Sequence, residues 1–499
     1  MRFANLRYQR SGIMNAMNRD LMKLVAEKEQ NAWKKWDEDH WRPGFHLMPV
    51  TGWLNDPNGL CFYKGDYHVF FQYSPFDENG GVKFWGHYKS KNLTEWKYLG
   101  AALYADQPYD CHGVYSGSAY IEDDTMYLYY TGNVKHLGDY DYVNNGRESN
   151  TVLAVSKDGL HFENKNCIMT NKNYPPDCTC HVRDPKVWRE HDRYYMVQGA
   201  RRQGSAPGND FGEVLVFESV DKVNWQIRDR ITSELPFGYM WECPDYFPLD
   251  GMNILAVCPQ GVESEGIRYQ NLYQCGYFAA DKKITSRCRL GDFTELDFGF
   301  DFYAPQTFQD EKGRRVMIGW AGMPDADYEN PTAQKENWQH CLSVPRVLEW
   351  KNGQIYQRPA EELQMLRQEK ITGEIAGSYV KKDLSMYELE LFVTGGFEIR
   401  IAEDLSISYD PVSRKVVLSL HGRLAAGRTL RAVLVDKMEK IHLLVDNSIL
   451  EIFINEGEKV MTTRFYPNES VHEMMIKADN GKFNLWRLNK MEFQKGSIY

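Results

Sequence analysis

Five short runs of aromatic and β-branched residues recur along the first 350 residues, and their spacing constrains the fold more than any other feature of the chain. YHVFFQ, MYLYYT, RYYMVQ, LAVCPQ and RVMIGW end at residues 72, 131, 198, 260 and 320, at intervals of 59, 67, 62 and 60. A second signature trails the first three: SKNLTEW from Ser90, SKDGLHF from Ser156 and SVDKVNW from Ser219. Repeats of roughly 60 residues, each with several strands, fit an all-β five-bladed propeller. A sandwich has no such period, and an α/β barrel needs helical periodicity between its strands, which is missing here.

Each unit carries a polar cluster 14 to 18 residues before its run ends: Asp56 in NDPNG, Ser116 in YSGS, Asp184 in RDPK, Glu242 in WECPD and Tyr303 in DFYAP. Superposed repeats place all five at equivalent points of the innermost strands, so that distant residues converge in one axial funnel. One Asp in a turn is ordinarily a cap or a surface ion pair. Three acids in register with a repeat point instead to a site. Asp56, Asp184 and Glu242 in one pocket are what glycosidic cleavage asks for: a carboxylate at the anomeric carbon and an acid for the leaving oxygen. Trp241, Cys243 and Pro244 give Glu242 apolar neighbours, which suits it to be the acid. Asn55 and Asn58 flank Asp56 with amide donors that favour its ionised form, and Arg183 does the same for Asp184. Trp53, Asn55, Gln72, Trp85, Tyr115, Ser116, Arg183, Tyr303 and Trp320 are candidate substrate contacts. The 14% aromatic content, with 31 Tyr and 13 Trp, supplies rings for stacking on sugars as well as for strand cores.

The rest of the chain divides around this core. Residues 1–40 read as a polar leader and a helical extension, with Asn18 as cap, Leu21, Leu24, Val25 and Trp33 on one face, and Met14 or Met17 as an alternative start. The propeller is expected over 41–350, then a linker with a short helix opened by Pro359 over 351–370. Tyr387–Val393, Lys415–Leu420, Ile441–Val445 and Leu450–Ile454 make 371–499 a β-sandwich. The sequence leaves open whether that domain packs on the propeller, binds glycan or mediates a homodimer.

A net charge of −10 without a basic run argues against nucleic acid or an anionic membrane as partner. With no apolar run of about 18 residues and no secretory leader, a cytoplasmic location is expected. The ten cysteines, from Cys61 to Cys341, are expected as thiols, and Cys178-Thr179-Cys180-His181 lacks the second half of a zinc site.

WLNDPNG at 53–59, RDP at 183–185 and WECPD at 241–245 resemble the signature motifs of the glycoside hydrolase family that contains invertases, levanases, inulinases and sucrose-6-phosphate hydrolases. The resemblance runs from about residue 40 to the C-terminus and includes Trp85-Gly86-His87, Asp301–Gln306, Asp446–Asn455 and Tyr466-Pro467. It implies a five-bladed propeller followed by a β-sandwich, and retaining hydrolysis of β-fructofuranosides without cofactor or metal. It further implies Asp56 as nucleophile, Glu242 as general acid and then base, and Asp184 with Arg183 on the fructose hydroxyls. Within the family the stretch Glu336–Arg346 looks most like the intracellular sucrose and sucrose-6-phosphate hydrolases. Tyr115-Ser116 departs from the Phe-Ser common there. Arg201, Arg202, Lys335 and His340 are candidate contacts, by type, for a phosphate on the leaving sugar. An exo-acting hydrolase of short fructans, a fructosyltransferase and a non-catalytic sugar-binding propeller stay open as alternatives.

Overall fold

The computed structural model describes residues 15–162, 164–206, 208–402, 404–469 and 471–496. Met14 and the leader before it lie outside the described residues. The chain is all-β, a propeller-type assembly of antiparallel sheets followed by a sandwich-like C-terminal domain.

Turn chemistry explains the repeat. In each SKNLTEW-type segment the serine hydroxyl accepts two backbone N–H groups, Asn92 and Leu93 for Ser90, Asp158 and Gly159 for Ser156, Asp221 and Lys222 for Ser219. The Asn or Asp two residues later accepts the next pair. The residue between takes a left-handed backbone, with φ of 62° at Leu93, 72° at Gly159 and 70° at Lys222. Side-chain oxygens thus replace the missing ladder partners and turn the third strand of a sheet into its fourth.

Between Gly52 and Pro359 the strands form five sheets, each built on four antiparallel strands in chain order, from Gly52–Tyr63, Val114–Glu122, Cys178–Glu190, Met240–Leu249 and Tyr303–Gln309 as first strands. Each first strand touches the next, and the fifth touches the first. Residues 338–342 tie the ends together: Trp338–Gln339 pairs with Gly52 and Trp53, and Cys341–Leu342 with Trp320 and Ala321.

The fifth sheet takes its last strand from Gln354–Pro359, inside the stretch read as a linker, and Glu361–Leu366 is a 3-10 turn rather than a helix opened by Pro359. The reason is Asn352-Gly353, at φ 52° and 79°, a two-residue hairpin signal that returns the chain onto Arg346–Lys351. The N-terminal helix, Ala16–Trp33, is capped by Asn15, which accepts from the Asn18 N–H, so Asn18 lies inside the first turn. Val25 and Glu29 are its buried residues, whereas Leu24 faces solvent.

In the C-terminal domain one long strand, His472–Leu488, carries both layers. Its first half pairs with Phe397–Ile401 and its second with Tyr387–Phe392. Ile399, Ile407 and Leu418 of one layer share a core with Leu389, Leu443 and Ile452 of the other.

A buried charged network joins this domain to the sheets. His46 bonds Asp446 at 2.8 Å and Glu451 at 3.0 Å, and Arg346 bonds Glu451 at 2.5 Å and Asp297 at 3.1 Å. Glu451 also accepts the Val344 N–H at 2.7 Å. Glu451→Ala strips His46 and Arg346 of a shared partner in a dry interior, so urea unfolding is expected to show a loss of about 3–5 kcal/mol. A loss below about 1 kcal/mol would mean that water replaces the carboxylate there.

Candidate active site

All five first strands break register at the same height. Each has a β-bulge in which two residues face one: Asn55-Asp56 against Gln72, Tyr115-Ser116 against Thr131, Asp184-Pro185 against Gln198, Cys243-Pro244 against Val257, and Ala304-Pro305 against Gly319. In the last three the first bulge residue is left-handed, at φ 65°, 48° and 47°, and proline follows. That conformation costs free energy at a residue with a Cβ, and such bulges re-aim side chains. The three acids are therefore not strictly equivalent, as the superposed repeats suggested. Asp56 is the second bulge residue, Asp184 the first, and Glu242 the residue just before. The runs ending at 260 and 320 overshoot the bulge, whereas 72, 131 and 198 face it.

The bulges open onto a cavity of about 490 Å³ lined by Asp56, Asp184 and Glu242. Trp53, Asn55, Gln72, Tyr115, Arg183, Tyr303 and Trp320 line it as well. Ser116 and Trp85 do not. Ser116 sits behind Asp56 and donates to Oδ2, and the buried Trp85 indole donates to the Tyr115 carbonyl at 3.1 Å. Both act on the wall from outside it. Trp53 and Trp320 form an aromatic floor, and the buried His340 packs beneath it, edge-on to Trp53 at 4.5 Å and to Trp320 at 5.0 Å.

Asp56 accepts from Ser116, from Asn55 Nδ2 at 3.0 Å, from Gln72 Nε2 at 3.3 Å and from the Cys243 thiol at 3.6 Å. Of the two amide donors read from the sequence Asn55 reaches the carboxylate, whereas Asn58 Nδ2 donates to the Asp56 backbone carbonyl at 3.0 Å; burial outweighs the donors and pushes the Asp56 carboxyl up, with the Glu242 charge adding to the shift. Glu242 is not in an apolar setting. Its neighbour Trp241 points into the core against Val214 and Phe278, as alternation along a strand requires. The Glu242 carboxylate itself accepts from Arg183 at 2.6 and 3.1 Å, from Gln260 at 2.8 Å and from the Tyr303 hydroxyl at 2.7 Å. Arg183 also donates to His181 Nδ1 at 2.6 Å. Burial and the guanidinium push that imidazole down to about 2, so it is neutral and accepts.

Asp184 accepts the Cys243 N–H at 2.9 Å and lies 4.0 Å from Arg183. Burial pushes its carboxyl up to about 7, with Arg183 opposing and Glu242 adding. A carboxyl raised on folding stabilises the fold fully below about pH 4, and that contribution is lost as pH rises through about 7. Asp184→Asn keeps an acceptor for Cys243 and removes the titration. Its melting temperature is expected to exceed that of the wild type by about 2–6 °C at pH 8, with the gap closing toward pH 5. Parallel pH curves would contradict this.

Sequence reading missed Lys83, Lys135, Arg147, Tyr273 and Asp325 on the cavity wall, because none belongs to a motif, and it did not assign to the site Gln260, which ends a repeat run, or His181, which closes the Cys178–His181 cluster. The four phosphate candidates lie elsewhere. Arg201 is paired with Asp210 at 2.8 Å, Arg202 with Asp177 at 3.0 Å, Lys335 lies over Trp41, and His340 is buried under the floor. Among the described residues no cluster could hold a metal ion, and Cys178 and Cys180 are free thiols. No helix of the described residues is long and apolar enough to cross a membrane.

A sucrose-6-phosphate hydrolase of Bacillus subtilis (strain 168) is 38% identical over 482 residues, covering 93% of this chain and 97% of that protein. A raffinose invertase of Escherichia coli is 35% identical, covering 88% and 93%. Among solved structures, the sucrose-6-phosphate hydrolase from Lactobacillus gasseri superposes with a TM-score of 0.84 at 29% identity, covering 93% and 97%. A mutant GH32 β-fructofuranosidase of Bombyx mori in complex with sucrose gives 0.80 at 30%, covering 94% and 99%. The glycosyl hydrolases family 32 N-terminal domain matches residues 46–359, across the sheets that hold the cavity, and the family 32 C-terminal model matches 362–495, so the chain belongs to glycosyl hydrolases family 32.

Proposed function

We propose that this chain is a retaining β-fructofuranosidase that hydrolyses sucrose and sucrose 6-phosphate, with the five sheets as five blades of a propeller and the strands from Arg367 to Leu488 as its sandwich, whereas Glu492–Lys495, expected in the sandwich, returns to pair with the first sheet. The observation that carries this reading is the joining of the Asp56 and Glu242 carboxylates through one bulge. Cys243 donates its thiol to Asp56 and its N–H to Asp184, and Glu242 precedes it in the chain.

In the first step an Asp56 oxygen attacks the anomeric carbon of the fructosyl unit. The bond to the leaving hexose breaks, and its oxygen takes a proton from Glu242. In the second, Glu242 accepts a proton from water, whose oxygen attacks the same carbon and frees Asp56. Arg183 holds the Glu242 carboxyl in place with two charge-assisted hydrogen bonds, at 3.1 and 2.6 Å. A phosphorylated disaccharide as substrate goes with a cytoplasmic location.

Initial rates on sucrose, sucrose 6-phosphate and a short inulin test the reading. The better disaccharide is expected to exceed inulin in kcat/KM at least about tenfold, since one preferred hexose in the leaving site is worth about 1.4 kcal/mol or more. Preference for inulin would make the protein a fructan hydrolase instead.

A further inference from the structure

Lys135 and Arg147 face each other across the hairpin formed by Thr125–Lys135 and Arg147–Ser156, in direct register, and both line the substrate cavity. Like charges directly opposite on neighbouring strands are destabilising unless something negative lies between them. Among the described residues neither side chain has a carboxylate within ion-pair distance. The Arg147 Nε donates to Asn133 Oδ1 at 2.9 Å, and its guanidinium stacks over Tyr115 at 5.5 Å. Lys135 Nζ lies 5.6 Å over the Tyr142 ring.

Of the acids nearest in the chain, Asp139 is exposed and makes no ion pair with either cation, and two others are already engaged. Glu148 pairs with His136 at 3.0 Å, and Asp141 accepts the N–H groups of Val143 and Asn144. Burial and the neighbouring Arg183 push the Arg147 guanidinium pKa down, with Tyr115 and Glu242 opposing.

The height of the pair is also informative. Thr131 faces the bulge of Tyr115 and Ser116, and its hydroxyl accepts the Asp184 N–H, which sets the cavity floor. Lys135 is four residues further along the same strand, about 13 Å toward the mouth at 3.3 Å per residue. A sugar held at the carboxylates reaches that height with its leaving hexose, not with its fructosyl unit.

We propose that Arg147 and Lys135 form a site for a phosphate monoester on the leaving hexose and so set the preference for the phosphorylated disaccharide; this rests on the fructosidase reading above. The planar guanidinium presents two parallel N–H groups to two phosphate oxygens, and the ammonium adds a point charge against the dianion.

The test is steady-state kinetics on sucrose 6-phosphate and sucrose for the wild type, Arg147→Gln, Lys135→Gln and the double variant. Lys335→Gln serves as a cation control outside the cavity. The ratio of kcat/KM for the phosphorylated over the free sugar is expected to fall at least about tenfold in each single variant and further in the double, carried by KM. Product inhibition by glucose 6-phosphate weakens in step, whereas inhibition by glucose and by inorganic phosphate alone stays weak in every form. Arg147→Lys restores part of the ratio, which a packing role would not do. An unchanged ratio in both single variants, or an equal fall in Lys335→Gln, overturns the assignment while the fructosidase reading stands. A wild type that releases fructose from neither sugar overturns both.

Discussion

Asp56→Ala is expected to lower kcat on sucrose by at least about 10⁴-fold, because it removes the proposed nucleophile of the first covalent step. The fold should not suffer. Asp56 is a buried carboxyl pushed up by desolvation, and its partners have other hydrogen bonds: Gln72 Nε2 donates to Ser116 Oγ, and the Asn55 amide oxygen holds the Trp53 indole N–H at 2.8 Å. Thermal melts at pH 7 should therefore place the variant within a few degrees of the wild type or above it. The gap left by the carboxylate admits a small anion on the attacking face. Azide is expected to restore part of the turnover and to leave a fructosyl azide of inverted configuration. A residual kcat above about one per cent would remove Asp56 from the nucleophile role, whatever the melts show.

The sequence exposes this fold through turn chemistry rather than through the strands themselves. The Ser and Asn or Asp acceptors after Ser90, Ser156 and Ser219 are local, so each repeat writes them into the chain. Asp56, Asp184 and Glu242 are legible because a proline follows each of their bulges or sits in it, with a left-handed residue before it at Asp184 and Cys243, which leaves NDP, RDP and ECP as marks. Orientation is less legible. Ser116 sits one residue from the cavity-lining Tyr115, Trp85 lies behind the wall as register partner of Gln72, and Glu242 looks apolar only if its chain neighbours are mistaken for its spatial ones. Lys135 and Arg147 become neighbours only through the register of a hairpin whose connection spans 11 residues, and no local pattern encodes that. Asn352-Gly353 was a readable hairpin signal that the expectation of a linker overrode.

Glu242→Gln separates proton transfer from position, because glutamine keeps the shape and can still meet Gln260 and Tyr303. On sucrose, whose leaving alkoxide needs a proton, kcat is expected to fall about 10²–10⁴-fold. A nitrophenyl β-fructofuranoside leaves without help, so its first step should be nearly unimpaired. The second step still lacks a base to activate water, and the fructosyl ester on Asp56 must then accumulate. A rapid mix is therefore expected to show a burst of nitrophenol equal to the enzyme concentration, followed by slow turnover, with a fructosyl unit found on the Asp56 peptide after acid quench. The same loss on both substrates without a burst would mean that Glu242 acts by holding Arg183 rather than by moving a proton. In that case Arg183→Lys should reproduce the phenotype, since a lysine cannot make the paired contacts now seen at 2.6 and 3.1 Å. A burst in Glu242→Gln with none in Arg183→Lys assigns the proton to Glu242 and leaves Arg183 the work of placing the fructose.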